Sequence, residues 1–445
     1  MKIAVIGSGI AGLSAAWRLA RRHEVTLFEQ DGRVGGHTHT VLVPTPTGAA
    51  TAPAEAPVAA ATVPVDTGWI VYNGINYPNL TALFGELGVR TRPTSMSFGV
   101  SLGGGAYEWK GSDNLFTVFA QYANLLRPAH YRLLLDILRL NRDCNRLLRS
   151  GDLPQGSLGE FLQSAGFSKE LQARYLLPMA GLIWSCSPRK AMEYPAADFM
   201  RFFDAHSLFT ATQQPTWHTV IGGSHEYVKK ILAEYRGALR LHTPVESLRR
   251  VDGGVELRSA AGVERYERVI CATHSDQALR LLADASDEER RVLGGIPYNA
   301  SRVVLHTDES YLPRRRAAWA SWNYIDDAAF QPCDLAREVH DRPISGSYWM
   351  NLLQGIPGPV NYVVTLNPTR EIPRERILYD TVYHHPHYGP DSVATHRDLA
   401  SIQNAGGLWW AGAWSGYGFH EDGLVSGLRA VAGIDRECLP SWTTI

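Results

Sequence analysis

Residues 2–19 of this 445-residue chain read KIAVIGSGIAGLSAAWRL, and this stretch decides the fold. A short apolar run is followed by three glycines spaced Gly-x-Gly-x-x-Gly, and then by a segment rich in Ala and Leu. This order predicts a strand, a tight turn and a helix. A second apolar run, residues 23–28, ends at Glu29, about 20 residues after the first glycine. The combination predicts a Rossmann-type unit that binds a dinucleotide.

Each glycine of the turn is needed for a different physical reason. Gly7 makes the turn, Gly9 lets the backbone approach a pyrophosphate, and Gly12 allows the helix to pack closely on the strand. The backbone N–H groups at the start of the helix, at Ile10 and Ala11, have no partners inside the helix and favour an anion. We therefore expect these five residues to bind the diphosphate of the dinucleotide.

The residues after the second strand narrow the identity of the dinucleotide. Glu29, with Gln30 beside it, is expected to accept hydrogen bonds from ribose hydroxyls, and an acid there disfavours the 2′-phosphate of NADP. A second group supplies a cation, two more glycines and a histidine: Arg33, Gly35, Gly36 and His37. This group offers the diphosphate a second close approach of the backbone.

This N-terminal pattern resembles that of the flavin-containing amine oxidoreductase superfamily, which includes amine oxidases, phytoene desaturases and protoporphyrinogen oxidases. The superfamily pattern is Gly-x-Gly-x-x-Gly, then Glu, then Arg-x-Gly-Gly, and all of it is present here. The resemblance implies that the cofactor is FAD and not NAD. It also implies an α/β fold, in which a Rossmann-type FAD-binding domain is interleaved with a mixed α+β substrate domain.

The resemblance implies further contacts with FAD along the chain. Asp66, Thr67 and Gly68 follow the second glycine cluster, where the superfamily chain runs beside the flavin, although Asp66 could instead cap a turn. A helix is predicted from Leu424 to about Ile434, and its positive end would favour electron acceptance by the flavin. The residues expected at the adenine, the ribitol and the flavin edge are Val245, Ala272, Thr273, Gly412, Ala413, Asp422, Gly423 and Leu424.

These motifs divide the chain into two interleaved domains. The FAD-binding domain is predicted to comprise residues 1–75, 215–280 and 400–445, and the substrate domain a helical part, 76–214, and a sheet part, 281–399. Within the first segment, residues 44–64 are low-complexity Ala, Pro and Thr, which cannot bury a core and are predicted to form a mobile loop.

Charge and composition exclude several classes of protein. The chain has 43 Lys and Arg against 44 Asp and Glu, so its net charge of −1 argues against nucleic acid as a ligand. Five cysteines without a Cys-x-x-Cys pair indicate reduced thiols and a cytoplasmic location. No run of about 18 apolar residues occurs, so no membrane-spanning helix is expected.

Residues 115–150 are apolar with a helical period and carry a local basic excess. Such a helix can lie on an anionic membrane surface, or it can be a substrate-domain helix with a solvated arginine face, and the sequence leaves both open. The basic residues are Arg127, Arg132, Arg139, Arg142, Arg146 and Arg149, against Asp136 and Asp143. Residues 312–316, followed by Trp319 and Trp322, form a second basic and aromatic patch.

A closer resemblance is to one branch of the superfamily, and it covers nearly the whole chain. The branch comprises bacterial flavoproteins found with cyclopropane-fatty-acid-synthase-like methyltransferases, some of which desaturate a methylated fatty acyl chain. The resemblance implies a long-chain acyl or lipid substrate, and a methyltransferase as a partner in the pathway. The segments that carry it are 36–40, 65–73, 183–185, 222–228, 348–354 and 418–423.

Desaturation requires a hydride acceptor and a base, and the sequence suggests a base near the predicted flavin loop. His420 is the first choice because its ordinary pKa lies near neutrality, although it could equally be a helix-entry residue bonded to the backbone. Tyr417 could line the substrate channel, and Glu421 and Asp422 could cap the helix. No metal site is expected at residues 384–387, because adjacent histidines of an extended chain point apart.

Two alternatives to the acyl desaturase remain at this stage. The same fold could serve an FAD-dependent oxidase of amines or amino acids, which would be expected to have an aromatic cage and an arginine that pairs with an anion. It could also serve a non-redox flavin isomerase or a lipid-binding flavoprotein. The sequence alone does not separate these activities.

Overall fold

A computed structural model describes residues 1–45, 62–111, 115–184, 186–209, 215–327 and 344–445. Its strands, numbered in chain order, are β1 (Lys2–Ile6), β2 (Glu24–Phe28), β3 (Thr40–Pro44), β4 (Thr62–Asp66), β5 (Val71–Asn73), β6 (Thr91–Thr94), β7 (Phe98–Leu102), β8 (Tyr107–Gly111), β9 (Trp217–Val220), β10 (Ala238–Arg240), β11 (Val245–Val251), β12 (Gly254–Ser259), β13 (Gly262–Tyr266), β14 (Arg268–Cys271), β15 (Tyr298–His306), β16 (Trp322–Asp326), β17 (Gly346–Trp349), β18 (Val363–Leu366), β19 (Ile377–Pro386) and β20 (Leu408–Trp410).

The helices are α1 (Ile10–Leu19), α2 (Pro78–Leu87), α3 (Pro128–Ser150), α4 (Leu158–Ser164), α5 (Lys169–Leu171), α6 (Leu177–Trp184), α7 (Pro188–Glu193), α8 (Ala196–Ala205), α9 (His225–Glu234), α10 (Ser275–Leu281), α11 (Asp287–Gly294), α12 (Met350–Leu353), α13 (Pro390–Asp398) and α14 (His420–Ile434). A π-helical turn, Gln172–Leu176, joins α5 to α6 without a break. Two 3₁₀ turns, Leu115–Phe119 and Tyr122–Leu126, precede α3.

A five-stranded parallel sheet, with the strand order β10-β2-β1-β14-β20, lies at the centre of one part of the fold. Its strands come from three separate parts of the chain. One face packs against α1, α9 and α14. The other face packs against the antiparallel sheet β11-β12-β13 and against α10. Because both faces are covered, the strands are almost continuously apolar, as expected for a parallel sheet.

A seven-stranded mixed sheet, with the strand order β19-β15-β18-β17-β16-β7-β8, lies in the other part of the fold. Only β16 and β7 are parallel neighbours, and the other pairs are antiparallel. Helices α3, α6 and α8 share one apolar core with β7 and β8. A small sheet, β5-β9-β6, and the hairpin of β3 and β4 connect these two parts.

Three predicted segments have different boundaries in the structure. Both ends of the predicted loop 44–64 are strand residues, because β3 and β4 pair antiparallel up to Pro44 and Thr62, whereas residues 46–61 lie outside the described part. The long helix predicted from residue 115 begins only at Pro128, after the two 3₁₀ turns. The last helix begins at His420, earlier than the predicted Leu424.

Helices α1 and α14 pack through glycine. A Cβ added at Gly427 would lie 2.3 Å from the carbonyl oxygen of Ala11, which is far below van der Waals contact. The neighbouring Gly423 would place its Cβ 2.7 Å from the side chain of Ile10. The two helices therefore approach each other closely because these positions have no side chains. Within the described residues, no helix has both the length and the apolarity to span a bilayer.

We predict that Gly427→Ala lowers the free energy of unfolding by about 1–3 kcal/mol, because the new methyl group must push α14 away from α1. The matched control is Gly85→Ala in α2, where an added Cβ meets no atom within 4 Å. That change should stabilise the protein by up to about 1 kcal/mol, since Ala favours the helix more than Gly does. Thermal unfolding followed by circular dichroism measures both, and equal behaviour of the two variants would contradict the prediction.

Candidate active site

The residues predicted to bind the dinucleotide follow the carboxyl ends of the parallel strands. Gly7 follows β1, Glu29 follows β2, Ala272 follows β14, and Gly412 lies shortly after β20. Because all strands of this sheet run the same way, these positions meet at a single edge. Open α/β sheets bind their ligands at this edge.

The three glycines of the first turn have different surroundings. Gly7 has a φ of +93°, and a Cβ there would lie 2.8 Å from the carbonyl oxygen of Ala272. A Cβ at Gly12 would lie 1.9 Å from the carbonyl oxygen of Gly7. An added Cβ at Gly9, in contrast, meets no atom within 4 Å. Gly9 therefore borders open space at the start of α1, just before Ile10 and Ala11, where a diphosphate can approach the backbone.

Glu29 lies beside this turn and is buried. Its carboxylate accepts hydrogen bonds from the backbone N–H groups of Ser8 and Asp31, each at 3.0 Å, and from the Ser8 hydroxyl. The next residue, Gln30, is exposed. The backbone N–H of Thr243 donates to the Glu29 carbonyl at 2.9 Å, and this contact brings the segment that leads into Val245 close to the same acid.

The second glycine pair lies directly against the first turn. Gly35 and Gly36 both have positive φ, +123° and +57°, and a Cβ at Gly36 would lie 3.1 Å from the Cα of Gly9. The N–H of Gly35 donates to the Ser8 carbonyl at 3.1 Å. Arg33 donates to the Thr38 carbonyl at 3.4 Å. The two glycine clusters thus form a continuous backbone surface.

Residues 37–39 and 67–69 run side by side next to these glycines. The N–H of Trp69 donates to the His37 carbonyl, and that of Thr67 to the His39 carbonyl, each at 2.9 Å. A Cβ at Gly68 would lie 2.1 Å from the His37 carbonyl oxygen, so only glycine permits this contact. Two buried nitrogens here, Nε2 of His37 and Nε1 of Trp69, have no hydrogen-bond partner among the described residues.

The loop after β20 completes this edge of the sheet. The N–H of Gly412 donates to the Ser426 hydroxyl at 2.8 Å, and the carbonyl of Thr273 accepts from the Trp414 indole at 3.0 Å. Gly423 lies one turn into α14 and close to Ala413, with an added Cβ only 3.6 Å from the Ala413 Cβ. The neighbouring Leu424 is fully buried in the core. The positive ends of α1 and α14 therefore lie next to each other at the open edge.

The side chain of Asp66 contacts protein groups instead of facing the open edge. Its carboxylate accepts hydrogen bonds from the backbone N–H of Ser224, at 2.9 and 3.0 Å, and from the hydroxyls of Ser224 and Thr40, at 2.8 and 2.5 Å. The Gln354 amide donates to it at 2.8 Å. Burial raises the pKa of Asp66 to about 6. Asp66 thus anchors the start of α9, which corresponds to the capping alternative; its contact with FAD stays a prediction.

His420 is buried at the first position of α14 and belongs to a hydrogen-bonded triangle. Its Nε2 lies 2.9 Å from the Tyr227 hydroxyl and 3.1 Å from the Thr38 hydroxyl, and those two hydroxyls are 2.6 Å apart. Its ring stacks on Trp69 with 4.4 Å between the ring centres. Burial lowers the pKa of His420 to about 3. These contacts give His420 a structural role. Its role as a base stays a prediction, and the hydrogen bonds of its Nε2 argue against that role.

The two acids after His420 both bind backbone at helix starts. Glu421 accepts hydrogen bonds from the N–H groups of Asn79 and Leu80, each at 2.9 Å, and so caps α2, a helix distant in sequence. Asp422 accepts from the N–H groups of Tyr417 and Phe419, at 3.0 and 2.9 Å, and so caps its own helix, α14. Both carboxylates are therefore occupied by protein donors.

A cavity of about 640 Å³ lies between the seven-stranded sheet and helices α3, α6 and α8. Its described lining contains many aromatic and aliphatic side chains and no Asp, Glu, Lys or Arg. Tyr417, predicted to line a channel, packs edge-on against Phe202 and is not among these residues. The lining includes Trp69, Met96, Phe98, Trp109, Leu134, Ile137, Leu138, Tyr175, Met179, Leu182, Phe202, Trp217, Trp322, Tyr348, Leu366 and Phe419.

One end of the cavity meets the paired segments 37–39 and 67–69, and here the structure adds residues not predicted for the site. Tyr383 and His385 line this end, and the Tyr383 hydroxyl is hydrogen-bonded to Thr67 and His39, each at 3.0 Å. The ring of His385 lies 5.4 Å from that of His37. Burial lowers the pKa of His385 to about 4. The sequence contains a signal for an inward-facing histidine in the 384–387 run, because side chains alternate between the two faces along a strand.

Comparison with known proteins identifies the family to which this site belongs. A sequence profile described as "Flavin containing amine oxidoreductase" matches residues 10–350. The chain belongs to the flavin-containing amine oxidoreductase family. It is an FAD-dependent oxidoreductase of the amine oxidase superfamily, and the predicted cofactor and α/β fold class are confirmed. The open space at Gly9 and the unpartnered nitrogens of His37 and Trp69 fit an FAD bound along this edge.

Solved structures of the same fold include amine oxidases and a fatty acid isomerase. A putrescine oxidase variant is similar with a TM-score of 0.68 and 14% identity, over 98% of this chain and 99% of that one. Cyclohexylamine oxidase from Brevibacterium oxydans IH-35A gives 0.66 and 14%, with the same coverage. A fatty acid isomerase from P. acnes gives 0.64 and 15%, over 98% of both chains. Identities this low show the family fold alone.

A curated relative is similar over a short stretch only. The 4,4′-diapophytoene desaturase (4,4′-diaponeurosporene-forming) of Staphylococcus aureus strain Newman is 62% identical over 37 residues. These residues are 8% of this chain and 7% of that protein, so the match leaves most of both chains uncompared.

We predict that Gly9→Thr leaves the polypeptide folded but lowers the amount of FAD retained after purification by at least about tenfold, since the new side chain would occupy the diphosphate approach. Thr and Gly are about equal as residues preceding a helix, so little loss of stability is expected. In contrast, Gly12→Ala should lower the thermal stability of the apoprotein, because its Cβ overlaps the carbonyl of Gly7. Flavin absorbance per mole of protein and the melting temperature measure the two effects, and full flavin content in Gly9→Thr would refute the assignment.

Proposed function

We propose that this enzyme dehydrogenates a long-chain, methyl-branched fatty acyl group and introduces a carbon–carbon double bond. The observation that carries the proposal is the uncharged, aromatic and aliphatic lining of the 640 Å³ cavity, which ends beside the proposed flavin position. An acyl chain has no groups that need charged or strongly polar partners, and it gains free energy from leaving water, about 0.8 kcal/mol per buried CH₂.

The cavity is less suited to the amine and amino-acid oxidase alternative. A cationic amine, or the carboxylate of an amino acid, loses hydration when it enters this apolar cavity, and the cost is offset by a charged partner or, for an ammonium group, by an aromatic cage. Among the described lining residues, no carboxylate could pair with an ammonium group, and no arginine could pair with a carboxylate. An uncharged hydrocarbon substrate carries no such cost.

FAD, when bound, accepts a hydride from the substrate carbon. A proton must leave the neighbouring carbon, and we assign its acceptor to His385 in place of His420. His385 lines the cavity, whereas His420 is hydrogen-bonded to Tyr227 and Thr38 behind Trp69. Burial lowers the pKa of His385 to about 4 and that of His420 to about 3, so both imidazoles are neutral at neutral pH. The assignment therefore rests on the position of His385 in the cavity lining.

Two relatives support a hydrocarbon substrate, although neither carries the argument alone. The curated relative from S. aureus is a desaturase, and the P. acnes structure is a fatty acid isomerase. Desaturation and isomerisation differ in whether electrons stay on the flavin. A methyltransferase acting before this enzyme, and a cytoplasmic location, belong to the same proposal and rest on the resemblance to the branch.

Anaerobic mixing of the FAD-loaded enzyme with a methyl-branched long-chain acyl lipid tests the function. We expect bleaching of the visible absorbance of oxidised flavin and one new double bond per flavin, detected by mass spectrometry. Putrescine and amino acids should leave the spectrum unchanged. Bleaching by an amine alone would overturn the proposal in favour of an oxidase, and a shifted double bond without bleaching would favour an isomerase.

Replacing His385 with Gln should slow the bleaching step by about 10²-fold or more, because the proton would lose its acceptor. The matched control is His384→Gln, since His384 is the exposed neighbour on the same strand and its side chain points away from the cavity. Stopped-flow absorbance gives both rates at saturating acyl lipid. A rate for His385→Gln equal to that of the control would reject the assignment.

A further inference from the structure

Exposed apolar side chains cluster on the outer surface of the segment that leads into α3. Tyr122, Leu125 and Leu126 lie in the second 3₁₀ turn, and Tyr131 and Leu135 follow on α3. All five are exposed, and Leu126 reaches 88%. Single exposed leucines are ordinary, but an exposed patch of this kind marks a contact with another molecule or a membrane. We call these five residues the apolar patch.

Arginines continue the outer face of α3 beyond the apolar patch. Arg142 and Arg146 follow Leu135 along the stripe set by the helical repeat, and their side chains are 74% and 71% exposed. Asp143 lies between them and forms ion pairs with Arg139, Arg142 and Arg146. One carboxylate therefore offsets only part of the positive charge of these three arginines. The other acid of the helix, Asp136, accepts a hydrogen bond from the Ser168 backbone.

Basic residues also flank the other end of the apolar patch. Arg127, directly after the 3₁₀ turn, donates to the carbonyl of Ala106 at 3.0 Å, and Arg315 donates to the adjacent carbonyl of Gly105 at 2.9 Å. The basic segment 314–316 therefore lies beside the patch in space. Arg315 pairs with the buried Glu108, but its two arginine neighbours are exposed. An apolar centre with arginines on both sides complements an anionic lipid surface.

The apolar patch is separated from the cavity by the thickness of one helix. Leu134, Ile137 and Asn141 on the inner face of α3 line the cavity, whereas Tyr131 and Leu135 face outward. Leu138 does both, because it lines the cavity and is 55% exposed. The cavity thus reaches the surface at Leu138, one helical turn from the patch.

We propose that this protein docks on a bilayer containing anionic phospholipid through the apolar patch and its flanking arginines, and that an acyl chain of the membrane lipid enters the cavity beside Leu138. The identity of the entering chain rests on the proposed function. The docking rests only on the exposed apolar side chains and the charges around them. An apolar surface between two clusters of arginines matches the interface of a bilayer, where acyl chains lie below anionic headgroups.

Co-sedimentation of the FAD-loaded enzyme with vesicles tests the docking. We expect binding to mixed phosphatidylglycerol and phosphatidylcholine vesicles, and binding weaker by tenfold or more to phosphatidylcholine alone. Leu126→Asp combined with Leu135→Asp should lower the affinity for the mixed vesicles by at least about tenfold, and Arg142→Gln combined with Arg146→Gln by about tenfold. The matched control is Val263→Asp, since Val263 is 51% exposed on strand β13 of the separate sheet β11-β12-β13, and this change should leave binding unaltered.

Flavin bleaching by detergent-dispersed acyl lipid separates docking from the proposed function. Loss of vesicle binding in the patch variant with unchanged bleaching in detergent supports the proposal. No binding of the wild-type enzyme to either vesicle, or equal binding of the patch variant, overturns it, whatever the bleaching result. A wild-type dimer that the patch variant converts to monomer, without vesicle binding, would instead show that a second copy covers the patch. Analytical ultracentrifugation measures this outcome.

Discussion

The close approach of helix α1 to strand β1 is the constraint on which the cofactor site depends. No side chain fits between Gly12 and the carbonyl of Gly7, where the space to an added Cβ is only 1.9 Å. Gly427 and Gly423 likewise allow α14 to lie close to α1. Because these positions carry no side chains, the positive ends of both helices can lie together at the carboxyl edge of the sheet. A bound dinucleotide then meets donors that need no rearrangement.

Buried carboxylates hold the loops around this edge, and each of the three acids is already hydrogen-bonded to protein groups. Asp66 fixes the start of α9, Glu421 the start of α2, and Asp422 the start of α14. Each uses its charge on backbone N–H groups that the helix itself cannot satisfy. Burial raises the pKa of each of these acids. Buried acids therefore fix the helix starts around the site, whereas the described lining of the adjacent cavity contains no charged side chain.

The dinucleotide-binding part of this architecture could be predicted because its signals are local. The glycine spacing before α1 and the acid after β2 occur within residues 2–37, and each has a single physical explanation. The bond from Asn79 to Glu421 spans 342 residues and leaves no trace in the sequence around either residue. Likewise, the local sequence indicates only an extended chain around His385, since the cavity that it lines is formed by side chains from distant segments.

The start of α14 also could not be predicted from the local sequence. Gly423 suggested a helix beginning after it, but the cap formed by Asp422 on Phe419 starts the helix at His420. Local propensity alone would not indicate this, because histidine and glycine are both poor helix formers. The tertiary contacts of His420 hold its side chain outside the described cavity lining.

The hydrogen-bonded triangle has a consequence for how the holoenzyme forms. Thr38, Tyr227 and His420 come from the three separate parts of the chain that also supply the strands of the parallel sheet. During synthesis the first piece leaves the ribosome long before the last one does. The triangle, and the edge of the sheet around it, can close only after the third piece has emerged. A chain that ends before residue 420 would therefore lack the two hydrogen bonds that join His420 to Thr38 and Tyr227.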